Sequence, residues 1–138
     1  MKGRTYRYME EEPLYPFGYG LSYSTFEYSN LELSTSNVNA GDSLWIIADL
    51  TNISDRAGDE VAQLYLTAVT TTVTVPRAQL QGFTRINLKP GEKKAISFKL
   101  NTRQMVIIDE EGKYILEPGT FQVAVGGRQP DTRSEARF

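Results

Sequence analysis

The chain has 138 residues, a formal net charge of −2, 40% hydrophobic and 23% charged residues, and neither Cys nor His. This length fits one domain and is too short for an enzyme barrel of roughly 250 residues. Without Cys or His the chain has no thiolate nucleophile, disulfide or imidazole base. Its basic residues are scattered and no apolar run approaches 18 residues, so we expect neither nucleic-acid nor membrane partners.

The first 28 residues differ in composition from the rest, because they hold more than half of the chain's aromatic residues. Thr5–Tyr8 predicts one short strand. An irregular stretch follows, in which Pro13, Pro16, Gly18 and Gly20 break regular structure. A free linker is normally Gly/Ser-rich or charged, whereas this one is aromatic. We interpret it as a linker that packs against a neighbour.

Short apolar strands alternate with turn residues from Phe26 onward. The predicted strand regions are residues 26–33, 44–50, 62–67, 80–88, 96–100, 105–108, 114–116 and 121–125, with an edge strand or ordered loop at 70–75 and a possible pairing at 136–138. Leu44, Ile46, Ala48 and Leu50 alternate with the period of two that a half-buried strand requires. About seven strands with frequent turns predict an all-β, two-sheet antiparallel β-sandwich with little helix.

Two local signals refine the strand pattern. Lys89-Pro90-Gly91-Glu92 predicts a tight turn, because Pro presets φ and Gly admits positive φ. Gly82, which interrupts the strand region at 80–88, indicates a β-bulge.

Four segments resemble a known domain. They are Leu14–Phe26 (LYPFGYGLSYSTF), Gly58–Leu66 (GDEVAQLYL), Leu80–Glu92 (LQGFTRINLKPGE) and Glu117–Gly126 (EPGTFQVAVG). In this order and spacing they resemble the C-terminal fibronectin type III-like domain of family-3 glycoside hydrolases, the β-glucosidases and β-xylosidases. The resemblance implies an immunoglobulin-like sandwich over residues 25–138. Residues 1–24 would then be the last strand of a preceding α/β domain followed by a linker.

The resemblance also implies what this chain lacks. In that family the nucleophilic Asp lies in a separate barrel domain and the acid/base lies elsewhere upstream, and neither maps to a position here. We therefore expect no catalytic residue and no cofactor in this chain. It would be an accessory domain that contacts the catalytic barrel and α/β domains of a longer protein, here called the parent. The parent would hydrolyse O-glycosyl bonds and would be a bacterial periplasmic or secreted protein.

Carboxylates are the remaining candidates for chemistry. Glycoside hydrolysis needs two of them roughly 5–9.5 Å apart across a sugar site. The candidates are Asp59, Glu60, Asp109, Glu110 and Glu111. We interpret Asp109, Glu110 and Glu111, which lie beside Gly112, as surface residues, because charge runs of this kind are normally solvated. The spaced Asp/Asn loop of a calcium site is absent from the sequence, so we predict no metal.

The aromatic residues allow two interpretations. We favour inter-domain packing for Tyr15, Phe17, Tyr19, Tyr23 and Phe26, since each buried ring contributes about 1.5–3 kcal/mol. In that case residues 1 to about 20 should be the least ordered part of the chain, apart from its C-terminal tail. The alternative is a module that binds polysaccharide through exposed rings. Trp45 and Tyr65 are further candidates for such a ligand platform.

Overall fold

The computed structural model describes residues 23–70, 78–108, 110–116 and 118–128. These residues form β1 (Phe26–Leu33), β2 (Ser43–Asn52), β3 (Gly58–Ala68), β4 (Gln79–Leu88), β5 (Lys93–Asn101), a 3₁₀ turn (Thr102–Met105), β6 (Ile107–Ile108), β7 (Tyr114–Ile115) and β8 (Phe121–Gly126). Several predictions fall outside the described residues. They are the strands at 5–8 and 136–138, most of the segment at 70–75, nearly all of the predicted strand and linker at 1–24, and the lower order expected of residues 1 to about 20.

The long strands form two antiparallel sheets. Sheet A has the order β1-β2-β5, and sheet B has the order β4-β3-β8. The two-residue strands β6 and β7 pair with each other in a short hairpin. This architecture confirms the predicted two-sheet sandwich, and in the described ranges the helical structure is confined to the 3₁₀ turn. No helix there is long and apolar enough to cross a bilayer.

The core lies between the two sheets and follows the predicted alternation. Along β2 every second residue from Leu44 to Leu50 is buried, and β5 alternates in the same way from Ile96 to Leu100. Buried residues of both sheets form one cluster: Leu44, Ile46, Ala48, Leu50, Ala62, Leu64, Leu66, Leu88, Ile96, Phe98, Leu100 and Val123. Because successive side chains of a strand point to opposite faces, the remaining residues of β2 and β5 form the outer face of sheet A.

Strand β3 departs from this alternation. Its residues Ala62–Leu66 are all buried, so the strand is covered on both faces at the centre of sheet B. Strands of that kind are typical of sheets with no solvated side. The sequence pattern at 62–67 predicted one apolar and one more polar side, and it did not predict that both would be buried.

The two local predictions on turns and bulges are confirmed. Gly91 has a φ of 72°, and Glu92 N donates to Lys89 O at 3.0 Å, which closes the predicted Pro-Gly turn. In the pairing of β3 with β4, Leu64 lies opposite Gly82 whereas Tyr65 lies opposite Leu80, so the register shifts beside Gly82. A register shift of this kind is a β-bulge.

Candidate functional site

The start of the sandwich is fixed to the loop between β2 and β3. The Ser24 hydroxyl donates to the carbonyls of Arg56 and Ala57 at 3.2 and 3.3 Å, beside the first residue of β3. A Cβ at Gly58 would collide with the Ser24 side chain, so the close approach requires glycine there. The chain therefore joins the sandwich at the end of sheet B where β3 begins.

The aromatic residues predicted for inter-domain packing divide into three groups. Tyr15, Phe17 and Tyr19 lie outside the described residues. Tyr23 is 92% exposed and presents its ring away from the core. Phe26 is half-buried and packs against the core of its own sandwich, so its ring is used largely within this domain. Among the described residues, the prediction of contact with a neighbour therefore continues to apply to Tyr23.

Trp45 lies on the outer face of sheet A, as the alternation in β2 predicted. Its side chain is 47% exposed, and Lys99, directly opposite on β5, places its Nζ 6.0 Å from the ring centroid. Ile47, two residues on, is also exposed. An exposed indole beside an ammonium group can stack on an apolar ring face. The geometry is compatible with a small ligand platform.

Tyr65 is not part of such a platform, which corrects the sequence-based assignment. Its side chain is 2% exposed, and its hydroxyl donates a hydrogen bond to Gln63 Oε1. Gln63 Nε2 in turn donates to the Gly127 carbonyl at 2.9 Å. Buried polar groups need such partners. Tyr65 was assigned to the platform because it lies on the more polar side of β3, and the structure covers that side.

Asp59 and Glu60 occupy opposite faces of β3, because they are adjacent in the strand. Asp59 Oδ1 accepts from Asn87 at 2.6 Å, and its Oδ2 accepts from Arg85 Nε at 2.9 Å. These hydrogen bonds, Asn87 first and Arg85 next, hold the pKa of Asp59 below its ordinary value. Carboxylates on opposite faces of one strand cannot flank one glycosidic bond.

Glu60 connects the two sheets. The Tyr28 hydroxyl on β1 donates to Glu60 Oε1 at 3.0 Å. Burial raises the pKa of Glu60, and the hydrogen bond from Tyr28 opposes that rise. Burial also raises the pKa of Tyr28, and the Glu60 carboxylate adds to the effect. The pair is a structural bridge at the edge of the sandwich.

The acidic residues near the β6–β7 hairpin are solvent-facing where they are described. Glu110 and Glu111 are exposed, and Glu111 Oε2 lies 3.0 Å from Lys113 Nζ. Asp109 is outside the described residues. Within the described ranges, no group of three or more acidic side chains is arranged to hold a metal ion. Glu110 and Glu111 therefore have the surface character that the sequence predicted, and the prediction for Asp109 stays a prediction.

A cleft of about 470 Å³ opens at the end of the sandwich where β1 ends. Its apolar floor includes Leu33, Leu44, Met105, Phe121 and Val123, and loop residues 35–40 form much of its rim. None of the described residues that line it is ionisable. The cleft could accept an apolar group, but its lining offers no acid or base for catalysis.

Phe83 is an exposed aromatic residue that the sequence reasoning did not single out. It lies on β4 directly opposite Gln63, and its side chain is 70% exposed. Paired residues of an antiparallel sheet share a face, so Phe83 is on the outer face of sheet B. Its alternation with Gly82 and Thr84 could have predicted the outward position of Phe83. The bulge beside Gly82, however, disturbs the period-of-two pattern of the strand at this point.

The six long strands define an antiparallel β-sandwich domain, and comparison with known proteins specifies which kind. The model of the fibronectin type III-like domain matches residues 60–129, about half of the chain. The chain therefore belongs to the fibronectin type III-like domain family.

The relatives are glycosidases. The chain is 42% identical to a periplasmic β-glucosidase of Salmonella typhimurium, with 88% of this chain and 16% of the relative covered. It is 40% identical to a β-xylosidase of Formosa agariphila, with 88% and 17% covered. The solved structure of an Erythrobacter marinus β-glucosidase matches with a TM-score of 0.79 and 32% identity, covering 91% of this chain and 17% of that one.

The chain thus spans about a sixth of the length of these relatives. Together with the family match, these relatives confirm the resemblance to the fibronectin type III-like domain of family-3 glycoside hydrolases, since only a small part of each relative is matched.

Proposed function

We propose that this domain is a non-catalytic accessory module of a longer β-glucosidase or β-xylosidase, and that it stabilises the catalytic domains against which it packs. The observation that carries the proposal is the combination of extensive similarity to glycosidases with coverage of only about a sixth of their length. A domain that makes up about a sixth of the parent would stabilise it through contacts with the catalytic domains.

The chemistry of the described residues supports a structural role. Asp59 is paired with Arg85 and Asn87, and Glu60 with Tyr28. These carboxylates are held within the sandwich framework rather than directed together into a cleft. Hydrolysis of a glycoside requires two acidic groups on either side of one bond, one of them with a raised pKa. Glu60, whose pKa is raised, has its hydrogen-bonding partner within the domain.

Removal of residues 23–138 from the parent tests the proposal. We expect the remaining protein, while folded, to keep its kcat and KM within about twofold, because the reacting groups are elsewhere. We expect it to lose activity faster on heating, because an inter-domain contact of this size stabilises both sides. Unchanged heat resistance would overturn the proposal. So would glycosidase activity in the isolated 138-residue chain that is abolished by Asp109→Asn or Glu111→Gln.

A second candidate function is binding of polysaccharide through the outer face of sheet A. The half-exposed ring of Trp45, with Lys99 above it, favours this alternative. Trp45 is the single tryptophan of the chain, so its fluorescence reports directly on that face. Titration with soluble glucans and xylans, combined with pull-down on insoluble ones, distinguishes the functions. A saturable change in fluorescence that is lost in Lys99→Ala would support sugar binding. If the fluorescence does not change, only the accessory role remains.

A further inference from the structure

The outer faces of the two sheets are built differently. On sheet A the outward residues of β2 and β5 are mostly exposed, and they include the ion pair of Lys93 with Asp49 at 2.9 Å. On sheet B the central outward residues Gln63 and Tyr65 are buried. A one-sided sheet should alternate between buried and exposed residues, and β3 does not. Other parts of this chain therefore already cover the centre of the outer face of sheet B.

Exposed apolar side chains surround this buried centre. Register places Phe83 opposite Gln63, Leu80 opposite Tyr65, and Val61 two residues before Gln63 on the same face. Phe83, Leu80 and Val61 are all exposed. We call the exposed surface formed by Val61, Leu80 and Phe83 the Phe83 face. A protruding aromatic ring among rigid, packed neighbours is the arrangement found at the centre of protein interfaces.

The charges beside the Phe83 face are already neutralised. Arg85, opposite Val61, donates from both Nε and Nη2 to Asp59 Oδ2, and Asn87 occupies Oδ1 of the same carboxylate. Covering an unpaired charge is expensive, whereas a pair with its hydrogen bonds satisfied can lie at an interface rim at little cost. The electrostatics of this face therefore permit close contact with another protein surface.

We propose that the Phe83 face is the surface through which the sandwich docks on the preceding domain of the parent, an inference that rests on the proposed accessory function. The position of the connection supports this occupant. The chain joins the sandwich at Ser24, beside the first residue of β3. Along β3, Val61 is about 10 Å and Gln63 about 17 Å from that point.

The amount of the parent that lies outside this domain also favours the preceding domain as the occupant of the Phe83 face, over a separate protein that is not attached to the chain. Twenty-two residues precede the described part of the chain, and the relatives are more than five times as long as this chain. A domain attached through a short segment has an effective concentration in the millimolar range near its attachment point. A surface close to that point is therefore the one that the preceding domain reaches most readily.

The test compares Phe83→Ser with Trp45→Ser in the intact parent. Both changes replace an exposed aromatic residue by serine, but on opposite faces of the sandwich. Removing an aromatic side chain that anchors an interface typically weakens the association of the two surfaces more than tenfold. We expect Phe83→Ser to raise the rate of heat inactivation at least fivefold, or about 1 kcal/mol, and Trp45→Ser to leave it within about twofold. Equal rates for both variants and the unaltered parent would overturn the assignment.

Two further measurements separate the possible failures. If the parent without residues 23–138 inactivates as slowly as the intact one, the accessory function itself fails. If that deletion is damaging while Phe83→Ser is harmless, the accessory function stands and the Phe83 face is the wrong surface. Hydrogen exchange of the peptide 79–88 needs no mutation and should be slower in the parent than in the isolated chain. Equal exchange, with dimers of the isolated chain abolished by Phe83→Ser, would assign the face to a second copy and overturn the proposal.

Discussion

The side-chain amide of Asn52 donates a 3.0 Å hydrogen bond to the carbonyl of Leu88, joining the last residue of β2 in sheet A to the last residue of β4 in sheet B. The same Nδ2 donates to Arg56 O at 2.8 Å, and Oδ1 accepts from the backbone and the hydroxyl of Ser54 at 3.0 and 2.6 Å. Asn52 is fully buried, and its side-chain amide donates and accepts in all four of these bonds. It therefore fixes the β2–β3 loop and the distance between the sheets at the end where the chain joins the sandwich.

Replacing Asn52 by alanine should destabilise the domain by about 2–4 kcal/mol, because the Leu88 carbonyl and the Ser54 backbone N–H lose their bond to Asn52 in a buried or half-buried site. Chemical denaturation of the isolated chain measures the change. Asn87→Ala is the matched control, since Asn87 is exposed and should lose at most about 1 kcal/mol. If the free energy of unfolding falls equally in both variants, burial of the Asn52 hydrogen bonds does not increase their contribution to stability.

The core between the sheets predicts a second contrast. Leu64→Ala removes a side chain that is almost fully buried in the core cluster and should destabilise by about 2–5 kcal/mol. Ile47→Ala removes a similar side chain from the exposed outer face of sheet A and should change stability by about 1 kcal/mol or less. Thermal unfolding monitored by circular dichroism provides both values. If Ile47→Ala were the more damaging change, the assignment of inner and outer faces would be reversed.

The neighbouring carboxylates of β3 should give pH dependences of opposite sign. The raised pKa of Glu60 means that its contribution to stability is present below the ordinary value of 4.5 and is lost as pH rises through the folded-state pKa. The lowered pKa of Asp59 means that its contribution is present above the ordinary value of 3.8 and is lost as pH falls.

Glu60→Gln and Asp59→Asn, measured across pH 3 to 7, check these signs. As pH rises, the wild-type domain should become less stable relative to Glu60→Gln and more stable relative to Asp59→Asn. Melting temperatures in a series of buffers give the two differences. If the two melting-temperature differences changed in the same direction with pH, the account of burial around Glu60 and Tyr28 would be contradicted.

Much of the fold could be predicted because its signals are local. The alternation of Leu44, Ile46 and Ala48 identifies β2 and its inner face, and Pro90-Gly91 identifies the turn between β4 and β5. Both depend only on neighbouring residues, since strand faces follow from a period of two and turns follow from φ preferences. The outward position of Trp45 followed from the same alternation.

The features that were missed depend on residues distant in sequence. Asn52 and Leu88 are 36 positions apart, and Tyr28 and Glu60 are 32 apart, so no local pattern predicts either hydrogen bond. The burial of Tyr65 similarly depends on what covers sheet B, which alternation within β3 does not reveal. Phe83 was missed for a related reason, because the bulge beside Gly82 interrupts the alternation that would have assigned it to the outer face.

Calorimetry of the parent is the most direct test of the claim that the sandwich stabilises the domains beside it. The account predicts that residues 23–138 unfold together with the catalytic domains, at a temperature above the midpoint of the isolated chain. A separate transition in the parent, at the same temperature as in the isolated chain, would show that the sandwich is only tethered and would contradict the account.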